Sequence, residues 1–359
     1  MERIGIEMEF QLIDEDTYDL VDKIEPLLDR IGSDNNICHE VFQSCIEIKT
    51  DPVENVAAAK KQILEKLQKV YAEAQPLGIR LCSLSVHPFT KRTPETTKEK
   101  RYLEFANEHP YITRHHLTFS TQLHVSMSSL EQSIQVMNKL RYLLPLFTAL
   151  SACCPFWQQE KTGFVSFRQY LLQAGLNGGT PPVFANKKEF EKYLETATKV
   201  GAIKGLKDIH WDIRPRPDLG TLEFRIMDAV PKIEEAMALS TLAHYTISAL
   251  KVKTLKELLP SVFSEILPPS WAVQTNTFQA SHSGIEAQFI INQDGDTVSL
   301  RKMAESLLEE MDIPLLKYML TYGLPYQKIN GIYHETGSYK EIIKYASNEL
   351  SKEVMGHWH

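Results

Sequence analysis

Four stretches of this chain set acids, one imidazole and a guanidinium into alternating runs. Glu7 and Glu9 stand in R-I-G-I-E-M-E-F-Q-L-I, Glu47 in S-C-I-E-I-K-T, His124 in L-T-F-S-T-Q-L-H-V-S-M, and Glu223 with Arg225 in G-T-L-E-F-R-I-M-D. Apolar residues fill the intervening positions, as Ile4, Ile6, Met8 and Phe10 do around the first pair. A period of two is that of a strand with one apolar and one polar face. Carboxylates two positions apart on such a face lie roughly 6–7 Å apart at the backbone. Like charges that close repel unless a cation or a shifted pKa relieves them. Mg2+ and Mn2+ take carboxylate oxygens, and such ions are held by a few acids together with substrate phosphates. An arginine beside them matches the charge of a transferred phosphoryl group. Taken singly, the E-x-E pair reads more simply as a solvated strand face, His124 as a hydrogen-bonded core histidine and Arg225 as a salt-bridge partner. Together in one chain they point to a nucleotide-dependent metal site.

The elements that must position these residues follow from the same patterning. Arg3–Ile13 reads as the first strand and Ile37–Thr50, which also carries Glu40, as a hairpin or bent strand. Val53–Leu77 reads as an amphipathic helix closed by Gly78, and Ile79–Val86 as a strand. The Thr-rich, Pro-broken Thr90–Lys100 segment is a surface loop with the character of a lid, followed by a helix from Glu99 to Asn107. His115–Met127 is a strand with Gln122, His124 and Ser126 on one face, and Leu130–Ala152 a buried helix. Asp208–Pro217 and Gly220–Asp228 form a hairpin, followed by an apolar helix over Lys232–Leu250. The remainder reads as helical except for loops at Pro268–His282 and Gly323–Ser338. A sheet built from the strands would present Glu7, Glu9, Glu47, His124, Glu223 and Arg225 on one concave surface.

Composition bounds the alternatives. The 359 residues are 43% hydrophobic and 24% charged with a formal net charge of −7, the profile of a soluble globular chain. An acidic balance disfavours nucleic-acid and anionic-membrane partners. No apolar run reaches the ~18–20 residues of a membrane span, and no signal-peptide pattern opens the sequence. Cys38, Cys45, Cys82, Cys153 and Cys154 have neither metal-ligand nor disulfide-framework spacing, so reduced thiols and a cytoplasmic location are expected.

Seven segments resemble the glutamate–cysteine ligase type 2 family of bacterial carboxylate–amine ligases, part of the glutamine synthetase-like superfamily. They are G-I-E-M-E-F-Q-L-I-D, S-C-I-E-I-K-T-D-P-V, L-H-V-S-M, L-P-L-F-T-A-L-S-A-C-C-P-F-W, T-G-F-V-S-F-R, W-D-I-R-P-R-P-D-L-G-T-L-E-F-R-I-M-D and T-G-S-Y-K-E-I-I, in family order over nearly the whole chain. The resemblance implies an α+β fold over residues 1–359 as one domain. Its curved, mainly antiparallel sheet would form an open funnel with helices on the outer face, as in the glutamine synthetase catalytic domain. It also implies an activity. ATP, with Mg2+ or Mn2+, would activate a substrate carboxylate, γ-glutamyl in the known cases, as an acyl phosphate that an amine such as cysteine converts to an amide. By motif position Glu9, Glu40 and Glu47 resemble ligands of one ion, and Glu7, His124 and Glu223 ligands of the ion on the ATP phosphates. Arg225 resembles the arginine that meets the transferred phosphoryl group, with Arg214 and Arg168 beside it on the nucleotide. The partners implied are small-molecule carboxylate and amine substrates, with a homodimer compatible.

This sequence departs from the family pattern in three motifs. Met8 replaces the middle acid of E-E-E-F, on the apolar face. Gln122 replaces the first histidine of H-V-H-V-G. His282 stands where N-x-W-x-A-x-R-x-G-L-D-A has its arginine. If that arginine meets the acid substrate, His282 is a substrate residue whose affinity should rise as pH falls from about 8 to 6. Replacing Glu223 by Gln is expected to abolish activity with little loss of folding. A guanidino-kinase-like phosphotransferase and a degenerate nucleotide-binding protein are the competing readings.

Overall fold

The apolar half of each alternating stretch builds the sheet. A computed structural model describes residues 2–173 and 177–356. Its main sheet contains β1 (Ile4–Asp14), β2 (Ile37–His39), β3 (Cys45–Lys49), β4 (Ile79–Cys82), β5 (Thr121–Ser126), β6 (Ile213–Arg216) and β7 (Thr221–Phe224). The strands lie in the order β6-β7-β5-β1-β3-β2, with β4 pairing the far end of β1. Every pair is antiparallel, and the two edges do not meet. The sheet is thus open, and with the surrounding helices the fold is α+β.

Register decides which side chains share a face, because directly opposed residues on antiparallel strands point the same way. One row runs Arg214, Glu223, His124, Gly5 across β6, β7, β5 and β1. The next runs Gln122, Glu7, Lys49, and a third Glu9, Glu47, Cys38. Ile4, Ile6, Met8, Phe10, Ile46, Ile48, Leu123, Val125, Leu222 and Phe224 fill the opposite face and are almost wholly buried. Helices Val56–Ala74, Leu130–Leu140 and Ile233–Leu250 cover that face, and Tyr339–Met355 packs on β4 and Val56–Ala74. Val56–Ala74 shows why: its buried positions Val56, Ala59, Ile63, Leu67, Val70 and Ala74 recur every three or four residues. The Asn55 side chain accepts from Ala58 N–H to start it. Among the described residues no helix is long and apolar enough to cross a membrane, and all five cysteines are free.

Several boundaries differ from the sequence reading. Leu130–Ala152 is two helices, Leu130–Leu140 and Leu144–Ser151, because Pro145 cannot continue a helix but can open one. Pro268–His282 is no loop: Ser270–Ser283 is a helix with Pro269 just ahead of it. Its buried face is Ala272, Val273, Asn276, Thr277, Ala280 and Ser281. Such small and polar residues give no apolar stripe. Gly323–Ser338 contains helix Pro325–Thr336, with Pro325 in its first turn and Gly337 as left-handed cap. Strands are shorter than read, Ile79–Cys82 for Ile79–Val86 and Thr121–Ser126 for His115–Met127. Part of the Gly/Pro-rich stretch at Gly175–Pro182 lies outside the described residues.

Candidate functional site

Around His124 the sheet face gathers three ligand atoms. His124 Nδ1 is held by the Thr221 hydroxyl at 3.0 Å. That leaves Nε2 facing Glu7 Oε1 at 3.4 Å and Glu223 Oε1 at 3.8 Å. Among the described residues this buried nitrogen has no hydrogen-bond partner of good geometry. One ligand atom from each of Glu7, His124 and Glu223 lies within 4.8 Å of the others. An oriented imidazole with an orphaned nitrogen between two carboxylates fits a hard divalent cation. Guanidinium groups crowd the same acids. Arg214 Nε donates to Glu223 Oε2 at 2.5 Å, Arg225 Nη1 donates to Glu223 Oε1, and Arg216 Nη1 lies 3.5 Å from Oε2. Burial of Glu223 works against its charge, but Arg225, Arg214 and His124 outweigh it and hold its pKa well below the usual carboxylate range. For Glu7 burial is likewise outweighed by His124, and the pKa is lowered.

The second acid group behaves oppositely. Burial lifts Glu9 to about 7, with Glu47 adding to it, and lifts Glu40 to about 7, with Glu9 adding to it. Glu47 is pushed up to about 8 by burial, then by Glu40 and Glu7. Its ion pair with Lys49, at 2.6 Å, pulls the other way and keeps the lysine firmly protonated. The net effect on Glu47 is upward, because it is 3% exposed and faces two other acids against one cation. Three acids that cannot all ionise comfortably are what a divalent cation would relieve. Among the described residues their ligand atoms do not converge as tightly as those of Glu7, His124 and Glu223.

Residues that the sequence reading did not assign connect the two groups. Gln122 Nε2 donates to Glu9 Oε1 at 3.1 Å, while Gln122 Oε1 accepts from Arg225 Nη1. Ser120 N–H donates to Glu9 Oε2 at 2.7 Å. Stepping back by two from His124 reaches both Gln122 and Ser120, so the period itself could have found them. Arg168 stands behind the site: its Nη1 and Nη2 donate to the carbonyls of Ile226 and Arg225, both at 3.1 Å. It braces the segment that carries Arg225. His282 is not brought to the others. It is exposed on helix Ser270–Ser283, stacked on the Phe278 ring with centroids 6.1 Å apart, and its Nδ1 meets Ser283 Oγ at 2.9 Å.

This architecture is that of solved ligase chains. The structure spans 99% of this chain and 89% of a glutamate–cysteine ligase from Francisella tularensis solved with AMP, at a TM-score of 0.76 and 13% identity. It also spans 53% of a bifunctional glutathione synthetase from Pasteurella multocida, at a TM-score of 0.73 and 13% identity. At the sequence level, residues 3–317 match the model of glutamate–cysteine ligase family 2. Two proteins named "Putative glutamate--cysteine ligase 2" are similar throughout. That of Trichormus variabilis is 32% identical over 98% of this chain and 93% of its own. That of Thermobifida fusca is 31% identical over 95% and 88%. The chain belongs to glutamate–cysteine ligase family 2.

Proposed function

We propose that the protein is an ATP-dependent carboxylate–amine ligase that activates a carboxylate, γ-glutamyl in the first instance, as an acyl phosphate. An amine such as cysteine then forms the amide, with release of ADP and phosphate. The observation that carries this reading is the convergence of Glu7, His124 Nε2 and Glu223 beside Arg214 and Arg225, in a member of this family. Glu7, His124 and Glu223 would hold one Mg2+ or Mn2+, and Glu9, Glu40 and Glu47 a second, which together would neutralise charge on the phosphates and the reacting carboxylate.

The remaining work falls to the chain's own groups. Arg225, shared between Gln122 and Glu223, presents a planar fork suited to the charge that develops on the transferred phosphoryl group. Arg214 supplies a second guanidinium from the adjacent strand. Arg168 is a positioning residue, since its hydrogen bonds reach the backbone of residues 225 and 226. No protein nucleophile is required, because the substrate carboxylate attacks.

The test is ADP release with glutamate as first acid and a panel of amines, in Mg2+ or Mn2+. Release that depends on both acid and amine supports the reading. ATP turnover indifferent to added acid and amine would sink it.

A further inference from the structure

Beside the acid row the sheet face opens into a cavity of about 520 Å³. Tyr102, Phe105, Ile112 and Leu172 line it with apolar surface, and Glu9, Glu40, Arg225 and Asp212 line it with charge. A few convergent polar groups in an apolar enclosure of this size are the usual form of a small-molecule site. Most charged groups here already have partners. Glu104 and Glu108 are tied to Lys204, and Arg168 to backbone carbonyls.

Asp212 differs. It is 2% exposed, and its backbone is fixed on both sides: its N–H donates to Gly179 O and its carbonyl accepts from Arg225 N–H, both at 2.8 Å. That places it across from Arg225, one step beyond the β6–β7 ladder. Gln169 Nε2 donates to Oδ1 at 2.8 Å. Among the described residues Oδ2 has no hydrogen-bond partner of good geometry, and the Thr180 hydroxyl beside it pulls the carboxyl's pKa down only weakly against burial. A buried carboxylate oxygen without a donor is an unfavourable arrangement that a bound N–H would repair. Burial lifts this carboxyl to about 6, within range of a group that takes up a proton near neutral pH.

We propose that Asp212 receives the amine substrate, with Oδ2 accepting its N–H and then its proton, while the apolar wall holds the amine's substituent. The proposal rests on the ligase reading above and names its nucleophile as a primary amine with an apolar body. In the step, Oδ2 takes one proton from the bound ammonium, and the freed nitrogen lone pair forms the C–N bond to the acyl carbon. The C–O bond to phosphate breaks with its electron pair leaving on phosphate. The second proton on nitrogen leaves with that phosphate.

The experiment compares three nucleophiles on wild type and Asp212→Asn: hydroxylamine, ethylamine and 2-phenylethylamine. Hydroxylamine is unprotonated at neutral pH, so it traps the acyl phosphate as a hydroxamate without a base. Asp212→Asn should keep hydroxamate formation while losing on the order of 100-fold or more in kcat with the amines. In wild type, 2-phenylethylamine should have a KM about tenfold below that of ethylamine, and Ile112→Asp should erase that difference. Equal loss of hydroxamate and amide formation in Asp212→Asn overturns the base assignment, and equal KM values for the two amines overturn the apolar class. Should Asp212→Asn fail to fold, Gln169→Met, which keeps the carboxylate but removes the donor that fixes its Oδ1, decides: amine-specific loss supports the proposal, and loss of both activities or of neither overturns it. A wild type that forms no hydroxamate fails at the earlier ligase reading, and this proposal falls with it.

Discussion

Replacing Glu40 by Gln should make the metal-free protein more stable at pH 8 while disabling it. The Glu40 carboxyl titrates at about 7 in the fold, against an ordinary value of 4.5, because of burial and then Glu9. A carboxyl whose pKa is raised by folding imposes no penalty below 4.5, where both states are protonated. Between 4.5 and 7 the unfolded chain loses its proton first, so stability falls as pH rises, and above 7 the penalty is complete. The rise from 4.5 to about 7 is worth roughly 3 kcal/mol at about 1.4 kcal/mol per pH unit. Partial exposure and sharing of the repulsion with Glu9 and Glu47 reduce the expected gain to about 1–3 kcal/mol. Gln keeps the shape and can still accept from Val41 N–H, as Glu40 Oε2 does at 3.1 Å. Urea denaturation in chelator at pH 5 and pH 8 measures the difference. Glu40→Gln should match wild type at pH 5 and exceed it at pH 8, and Mn2+ should stabilise wild type more than the variant. If Glu40→Gln is no more stable than wild type at pH 8 without metal, the acids are not in the strained arrangement described.

Three further substitutions separate roles. Arg225→Lys should lower kcat by about 100-fold with acid KM little changed, because a point charge cannot replace the fork between Gln122 and Glu223; steady-state ADP release reads it. His282→Ala should leave acid KM within about twofold of wild type and its pH profile unaltered, as expected of an exposed side chain that does not line the cavity beside Glu9 and Glu40. Gly284→Ala should cost about 2 kcal/mol or more in a denaturation experiment. Its φ is +63°, and a Cβ there would stand 2.8 Å from the Tyr326 ring.

The strands that carry Glu7, Glu9, Glu47, His124 and Glu223 were legible because alternation is a local signal, and register then joined them across the sheet. What the sequence hid came from elsewhere. Helix Ser270–Ser283 buries small polar residues, so its periodicity is silent on any apolar scale. Gly323 and Pro325 bound a helix that they were expected to interrupt. As a metal ligand on a polar face Glu223 is expected to matter for activity and not for folding, yet it is 1% exposed and compensates Arg214 and Arg225. Glu223→Gln should therefore lose about 3 kcal/mol of stability as well as activity, because it strands buried guanidinium charge; a thermal melt beside the activity assay checks both. Asp212 falls two positions before Arg214 and four before Arg216, so the alternation marks its face. The hydrogen bond to its Oδ1 comes from Gln169, far away in sequence, and no local pattern reveals that.

The pairing of β1 with β3 and β5 also governs what kinds of damaged protein can exist. A slip of one residue would turn Glu7 and Glu9 into the layer now filled by Ile46, Ile48 and Leu123, and bring Met8 and Phe10 out to face His124. Unpaired carboxylates in that layer are too unfavourable to persist. A misthreaded molecule therefore has no comfortable resting state in which to survive beside the native one. The residues that make the site double as a check on assembly. When a preparation is well folded but silent, the fault should be sought in ion loading, oxidation or the choice of substrate, and refolding it should bring no recovery.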